Sequence, residues 1–153
     1  MGFDSYDRAI LRRLQQDGRI SNQDLAEAVS LSPSPCLRRV RRLEESGVIE
    51  SYAARLNARK LGLKQVALIH ISMDRHTPER FERFEAAVAE LPEVLECHLI
   101  TGQQADYLLK VVVEDMDAYQ LFLLDKITRI EGVAGVHSSF VLKSPVNSTA
   151  LPV

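Results

Sequence analysis

Two rhythms of apolar residues divide the chain. Over the first 52 positions they recur every three or four places, the spacing of short amphipathic helices. Ile10, Leu11 and Leu14 in SYDRAILRRLQQDG share one face of a first helix, with Gly18 as its stop. Ser21 in RISNQDLAEAVS caps a second helix, with Asp24 three residues on, near a capping box, and Leu25, Ala26 and Val29 as its apolar face. Ser32 caps a third. Pro33 takes its first helical position, where the missing N–H costs nothing, Pro35 still lies in the first turn, and Gly47 ends it. VIESYAARL, β-branched and aromatic, predicts a small strand or wing, and NARKLG is a polar connector.

Beyond this connector the runs become strand-sized. Residues 66–73, 94–101, 106–113 and 136–143 predict strands, and residues 78–91 and 116–130 predict helices. The order β-α-β-β-α-β is that of the ferredoxin-like split unit, an antiparallel sheet with helices on one face. The expected fold class is α+β: a winged helix-turn-helix domain over residues 1–60 joined to a ferredoxin-like βαββαβ domain over residues 61–153, C-terminal tail included. A sheet with one bare apolar face predicts self-association.

Charge sharpens the division. The net charge of −2 hides 11 basic against 8 acidic residues in positions 1–60, and 8 against 13 in positions 61–153. A basic front, mostly arginine, suits a polyanion, and the acidic back does not. The composition, 46% hydrophobic and 26% charged, is that of an ordinary globular chain. No apolar run reaches membrane-spanning length, so no membrane partner is expected. MGFDSYDRAI lacks the basic-then-apolar order of a signal peptide, which makes the cytoplasm the expected compartment. Cys36 and Cys97, far apart and without a CxxC, read as reduced structural thiols.

No P-loop, nucleophile elbow or GxGxxG is present, so no catalytic residues and no cofactor are expected. His70, His98 and His137 fall on predicted strands and His76 on a loop. Cys97 and His98, as strand neighbours, point to opposite faces, so no metal site is expected either.

The third helix carries the candidate chemistry. At roughly 100° per residue from Leu37, its residues Cys36, Val40 and Leu43 fall near 260°, 300° and 240°, an apolar stripe against the first two helices. Leu37 is assigned to that stripe. Ser34, Pro35, Arg38, Arg41 and Arg42 lie opposite, and Arg39 at the edge. Like-charged Arg38 and Arg42 at i,i+4 cost helix stability, whereas an ordinary solvated face mixes signs. A short helix, a tight turn and a basic helix match a helix-turn-helix that enters the major groove of double-stranded DNA. Ser34 and Arg38 are the base-edge candidates. Arg39, Arg41 and Arg42 are expected on phosphates. Asn22 and Gln23, at the start of the second helix, and Ser32 and Pro35, at the start of the third, complete the expected interface.

At this point residues 7–54, DRAILRRLQQDGRISNQDLAEAVSLSPSPCLRRVRRLEESGVIESYAA, resemble the DNA-binding half of the Lrp/AsnC (feast/famine) bacterial transcriptional regulators. The hallmarks are the DGRISN turn, LSPSPCLRRV at the third helix and GVIESYAA after it. ECHLITG and DYLLKVVVEDMDAY within 96–119, GVHSSFVLK at 135–143 and the tail NSTALPV resemble the family's second half. The resemblance implies a regulator whose ferredoxin-like (RAM) domains form a homodimer, with dimers assembling further, an octamer being the expected form. It also implies a small effector, usually an amino acid, bound between dimers at the loop joining the second and third strands. Here that loop is Thr101, Gly102, Gln103, Gln104, Ala105, Asp106 and Tyr107, longer by one residue than in many members. An amino-acid ligand would need an acceptor for its ammonium, which Asp106 could supply, and amides for its carboxylate, which a glycine-opened loop could supply. Two alternatives remain open: an architectural, nucleoid-type DNA-binding protein without an effector, and a sensor of another metabolite or of thiol state through Cys97.

Overall fold

A computed structural model of the chain describes residues 2–102 and 105–153. It contains two compact units: the first runs to Arg55 and takes in Val146–Val153, and the second is Leu56–Pro145.

The first unit is built on α1 (Ser5–Gln16), α2 (Asn22–Ala28) and α3 (Pro33–Glu45). Asp4 and Asp7 cap α1 reciprocally. The Asp7 amide donates to Asp4 Oδ1 at 2.9 Å, and the Asp4 amide donates to Asp7 Oδ2 at 3.3 Å. Gly18 does not stop this helix through a left-handed turn. The helix ends at an extended Asp17, and Gly18 instead gives room to the Tyr52 ring, which a Cβ would meet at 3.3 Å. Ser21 caps α2, but its hydroxyl donates to the Asp24 carboxylate at 2.6 Å, so Asp24 does not reach back to the backbone as a capping-box residue would. Ser32 is the N-cap of α3 by backbone geometry without a side-chain cap bond.

The turn between α2 and α3 is a Schellman motif: Leu31 N–H donates to Ala26 O at 2.8 Å and Ser30 N–H to Glu27 O at 3.1 Å. It requires a left-handed residue, and Ser30 supplies it with φ 57°. The same motif closes α3, with Gly47 at φ 73°. Ile10, Leu25, Ala26, Cys36 and Leu43, all nearly or wholly inaccessible, form the core. Leu37 is not part of it. Its position on the helix lies some 60–120° from the centre of the buried stripe, and it is 38% exposed.

Residues 48–56, expected to add a strand or wing, form no strand: a strand needs a partner backbone, and none of the described residues pairs with this stretch. The tail, expected with the second domain, lies instead on α1. Leu151 exchanges two hydrogen bonds with the Gln15 amide, Arg12 Nε donates to Val153 O, and Val153 packs on the first core.

The second unit has β1 (Gln65–Met73), α4 (Pro78–Ala89), β2 (Val94–Leu99), β3 (Tyr107–Val113), α5 (Met116–Asp125) and β4 (Val133–Phe140). The strand order is β2-β3-β1-β4, antiparallel throughout, which is the ferredoxin-like arrangement. Alternation sends Ala67, Ile69, Ile71, Leu109 and Val111 onto Phe84, Val88, Tyr119 and Phe122 of the helices. Leu68, His70, Leu108, Lys110 and His137 lie on the other face. His70 and His137 are directly opposed across β1 and β4, with ring centroids 6.5 Å apart.

The boundaries differ most from the expected ones at α5 and β4. The helix expected over 116–130 stops at Asp125, and a tighter 3-10 turn at Ile127–Arg129 follows. That turn puts Ile127 wholly into the core, while Thr128 Oγ1 donates back to Leu124 O. The last strand starts earlier than expected, because Gly132 (φ 98°) turns the chain directly into it. A Cβ on Gly132 would lie 2.5 Å from Arg80 Cδ, so the turn needs glycine twice over.

Two outcomes follow from this packing. Ser30→Gly removes a left-handed strain and should raise the unfolding free energy in urea by about 1 kcal/mol; an unchanged or lower midpoint would contradict the turn geometry. Cys36 is wholly buried, and burial pushes its thiol up. It should resist alkylation in the folded chain and react only in denaturant, as read by peptide mass mapping.

Candidate functional site

The exposed side of α3 carries Ser34, Arg38 and Arg41 together. A depression on it is lined by Ser34, Leu37, Arg38, Arg41, Arg42 and Glu45. Pro35, expected to be fully exposed, is half-buried. The capping of α2 and the Schellman turn fix where α3 begins, and the buried Cys36 and Leu43 fix its rotation. The free hydroxyl of Ser34 and two guanidinium groups on one edge can meet base edges and phosphates at the same time. Gln23 and Ser32 are exposed beside it. Asn22 is tied inward, its side-chain amide donating to Pro33 O at 2.9 Å and holding α2 to the first turn of α3.

Arg39 and Arg42 have protein partners. Arg39 Nη1 pairs with Asp7 Oδ1 and with Asp4 Oδ2, each at 2.8 Å, and its guanidinium stands over the Tyr6 ring, 5.4 Å from the centroid. Arg42 Nη2 pairs with Asp7 Oδ2 at 2.6 Å. Asp7 itself is 1% exposed, and no other charged residue is buried among those described. The Asp7 amide first, and then Arg39, hold the Asp4 carboxyl below its ordinary value; Asp7 and Asp4 in turn hold Arg39 above its own. The part played by Asp7 was missed in the sequence, although a signal was there. It sits three and four places before Ile10 and Leu11, on the face that buries, and a buried acid needs a cation.

In the second unit Thr101 and Gly102 are exposed at the start of the β2–β3 loop, and Gly102 has φ 87°. Gln103 and Gln104 lie outside the described residues. Asp106, expected as a free acceptor for an ammonium group, is already engaged. Its Oδ2 accepts the Met73 amide at 2.7 Å, and its Oδ1 pairs with His76 Nε2 at 2.8 Å. Its own backbone bonds to Ile71 and Ile100, so it pins the loop to β1 and β2. Tyr107, expected at the ligand, is buried between Phe81 and Phe84, and its hydroxyl donates to Glu85 Oε1 at 2.6 Å. Burial and the Glu85 carboxylate push that phenol well above its ordinary value. Beside this pair a groove between α4 and β2 of about 380 Å³ is lined by Glu85, Val88, Leu95, Cys97, Leu99 and Tyr107 among others. Nothing in the sequence pattern announced Glu85, because its pairing joins a helix to a strand 22 residues away. Among the described residues no group of three or more His, Cys, Asp or Glu could hold a metal, and no helix is long and apolar enough to cross a membrane.

Known proteins match both units. The model of the Lrp/AsnC ligand binding domain matches residues 66–151, and that of a winged helix-turn-helix DNA-binding domain matches residues 3–50. The Bkd operon transcriptional regulator of Pseudomonas aeruginosa is 45% identical over 151 residues, 99% of this chain and 98% of that protein. The leucine-responsive regulatory protein of Escherichia coli K12 is 44% identical over the same length, 99% and 92% of the two chains. The solved structure of a transcriptional regulator from Neisseria meningitidis in complex with L-Met is 43% identical, covers 99% of this chain and 97% of its own, and superposes with a TM-score of 0.95. A basic helix-turn-helix and a ferredoxin-like unit, matched over almost their whole length by such regulators, make this chain a member of the Lrp/AsnC family of transcriptional regulators.

Proposed function

We propose that this regulator reads DNA through Ser34, Arg38 and Arg41 and answers an amino acid held at the β2–β3 loop. The observation that carries the DNA reading is the shared exposed edge of these three residues on a helix whose other side is locked into the core. Ser34 and Arg38, nearest the start of α3, are assigned to base edges, and Arg41 to phosphate. Gln23, Ser32 and Pro35 flank them at the DNA backbone, and Asn22 acts by holding α2 to α3.

The effector reading rests on the loop residues Thr101, Gly102, Gln103, Gln104, Asp106 and Tyr107, and is supported by the L-Met held by the Neisseria relative. Asp106 supports the loop, its carboxylate being taken up by Met73 and His76. Tyr107 and Glu85 border the adjoining groove, which offers the Glu85 oxygen not taken by the Tyr107 hydroxyl to an ammonium group and Val88, Leu95 and Leu99 to an apolar side chain. The bare sheet face with Leu68, Leu108 and the His70–His137 pair supports a homodimer, and further assembly of dimers into an octamer is proposed with it. A chain that binds its DNA in this way works in the cytoplasm.

Anisotropy titrations of a duplex selected by the chain from a random library, set against a random-sequence duplex, test the DNA roles. Arg38→Ala should cost about 1–3 kcal/mol at the selected duplex and relax its preference. Arg41→Ala should weaken binding to both duplexes and flatten the dependence of log K on log salt by about 0.9. Unchanged affinity and preference in Arg38→Ala would mean that α3 is oriented differently.

For the effector, L-Met is the first probe and the other nineteen amino acids follow. At a hundredfold excess over Kd a true effector should add about 2.7 kcal/mol to folding and raise Tm, with an accompanying change in sedimentation. If all twenty left melting, sedimentation and DNA affinity unchanged, the architectural reading would replace this one.

A further inference from the structure

The structure divides the four arginines of α3 into two pairs, and we propose that Asp7 is the positioning residue that enforces this division and so limits the sequence-independent part of the chain's affinity for DNA. The inference rests on the DNA reading above and deepens it.

Asp7 is on α1, away from the exposed edge of α3, yet both of its carboxylate oxygens are spent on α3 side chains. Oδ1 takes Arg39 and Oδ2 takes Arg42. The two arginines are not held equally. Arg39 has a second carboxylate, Asp4, and the Tyr6 ring, and its side chain is only 24% exposed. Arg42 has Asp7 as its ion-pair partner, is 51% exposed, and lines the same depression as Arg38 and Arg41. A guanidinium so placed has the reach and the charge to take a DNA phosphate. A carboxylate is what holds it back.

The consequence is one of sequence-independent affinity. Phosphate contacts add affinity for every sequence alike, whereas base-edge contacts add it for one. With Arg42 kept on Asp7, α3 meets DNA with Ser34, Arg38 and Arg41, and the sequence-independent part of the affinity stays small. With Arg42 released, one more counterion is displaced on any duplex, so affinity for right and wrong sequences rises together and more of the chain is held on the wrong ones. Asp7 also supplies a counter-charge beside the like-charged Arg38–Arg42 step, so the same carboxylate that withholds Arg42 relieves the repulsion within the helix.

Four variants in the full chain test this with the selected and random-sequence duplexes described above. Arg41→Gln is the reference, with an expected loss of about 0.9 in salt slope. Arg42→Gln should leave the slope on random-sequence duplex at the wild-type value, because Arg42 touches no phosphate while Asp7 holds it. Asp7→Asn, which keeps the shape and removes the charge, should steepen that slope by about 0.9 and raise affinity for selected and random duplexes alike, leaving their ratio unchanged. The double variant, Asp7→Asn with Arg42→Gln, should return the slope to wild type. A merely structural role for Asp7 would move none of these slopes in that order.

If Arg42→Gln flattened the slope as Arg41→Gln does, Arg42 would already be on phosphate and the proposal would be overturned, whether or not Asp7→Asn folds. A wild-type slope in folded Asp7→Asn would overturn it as well. The DNA reading itself fails by a different result, an unchanged slope in Arg41→Gln together with an unchanged preference in Arg38→Ala.

Discussion

A carboxylate with almost no solvent contact holds the DNA-binding unit in register. Asp7 would cost several kcal/mol if it stood alone in the core of a small three-helix unit. Here it accepts an amide-capping bond from Asp4 and the guanidinium groups of Arg39 and Arg42. Those bonds run between the first and third helices, which are far apart in sequence, and so they set the angle at which the recognition helix leaves the core. The hydrophobic contacts of Ile10, Leu25, Cys36 and Leu43 fix how closely the helices approach and which face of α3 turns inward. The directional bonds to the buried charge add a fixed point between α1 and α3.

The second unit uses an acid in a comparable way. Asp106 stands where the chain enters β3, and its backbone and side chain bond to Ile71, Met73, Ile100 and His76. The end of the β2–β3 loop is thereby attached to the strands beside it, and Tyr107 next to it is clamped between Phe81 and Phe84. A ligand meeting this loop acts on a segment whose one end is rigid. Glu85, reached through the Tyr107 hydroxyl, links the same point to α4. In both units, then, an acidic residue that sequence inspection would assign to solvent or to a ligand is part of the frame.

The elements themselves were largely legible. Among the described residues, periodicity found the five α-helices and the four strands, because strong alternation in residues 65–73 and a clear amphipathic face in residues 33–45 leave few alternatives. The errors fell where local pattern is silent. The helix from Met116 is apolar on several sides, so periodicity could not say that it would tighten at Ile127. The stretch after Gly47 has strand-forming residues but pairs with none of the described residues, and a strand is a property of two segments. The tail lies on Gln15 and Arg12 through bonds spanning more than a hundred residues, which no local rule anticipates.

By itself the sequence determined the family, the order of elements and the helix that meets DNA, since each of these is carried by short-range spacing and by side-chain type. Tertiary structure alone decided which arginines on that helix are free. On a helical wheel Arg42 looks as free as Arg38 and Arg41, with Arg39 at the edge, but a wheel does not contain the neighbouring helix, and it is Asp7 on that neighbour that claims Arg39 and Arg42. In the same way Asp106 looked like a free acceptor until the strands beside it were in place. A charged group is available to a ligand only if folding has not already given it a partner, and that is settled by contacts across the chain.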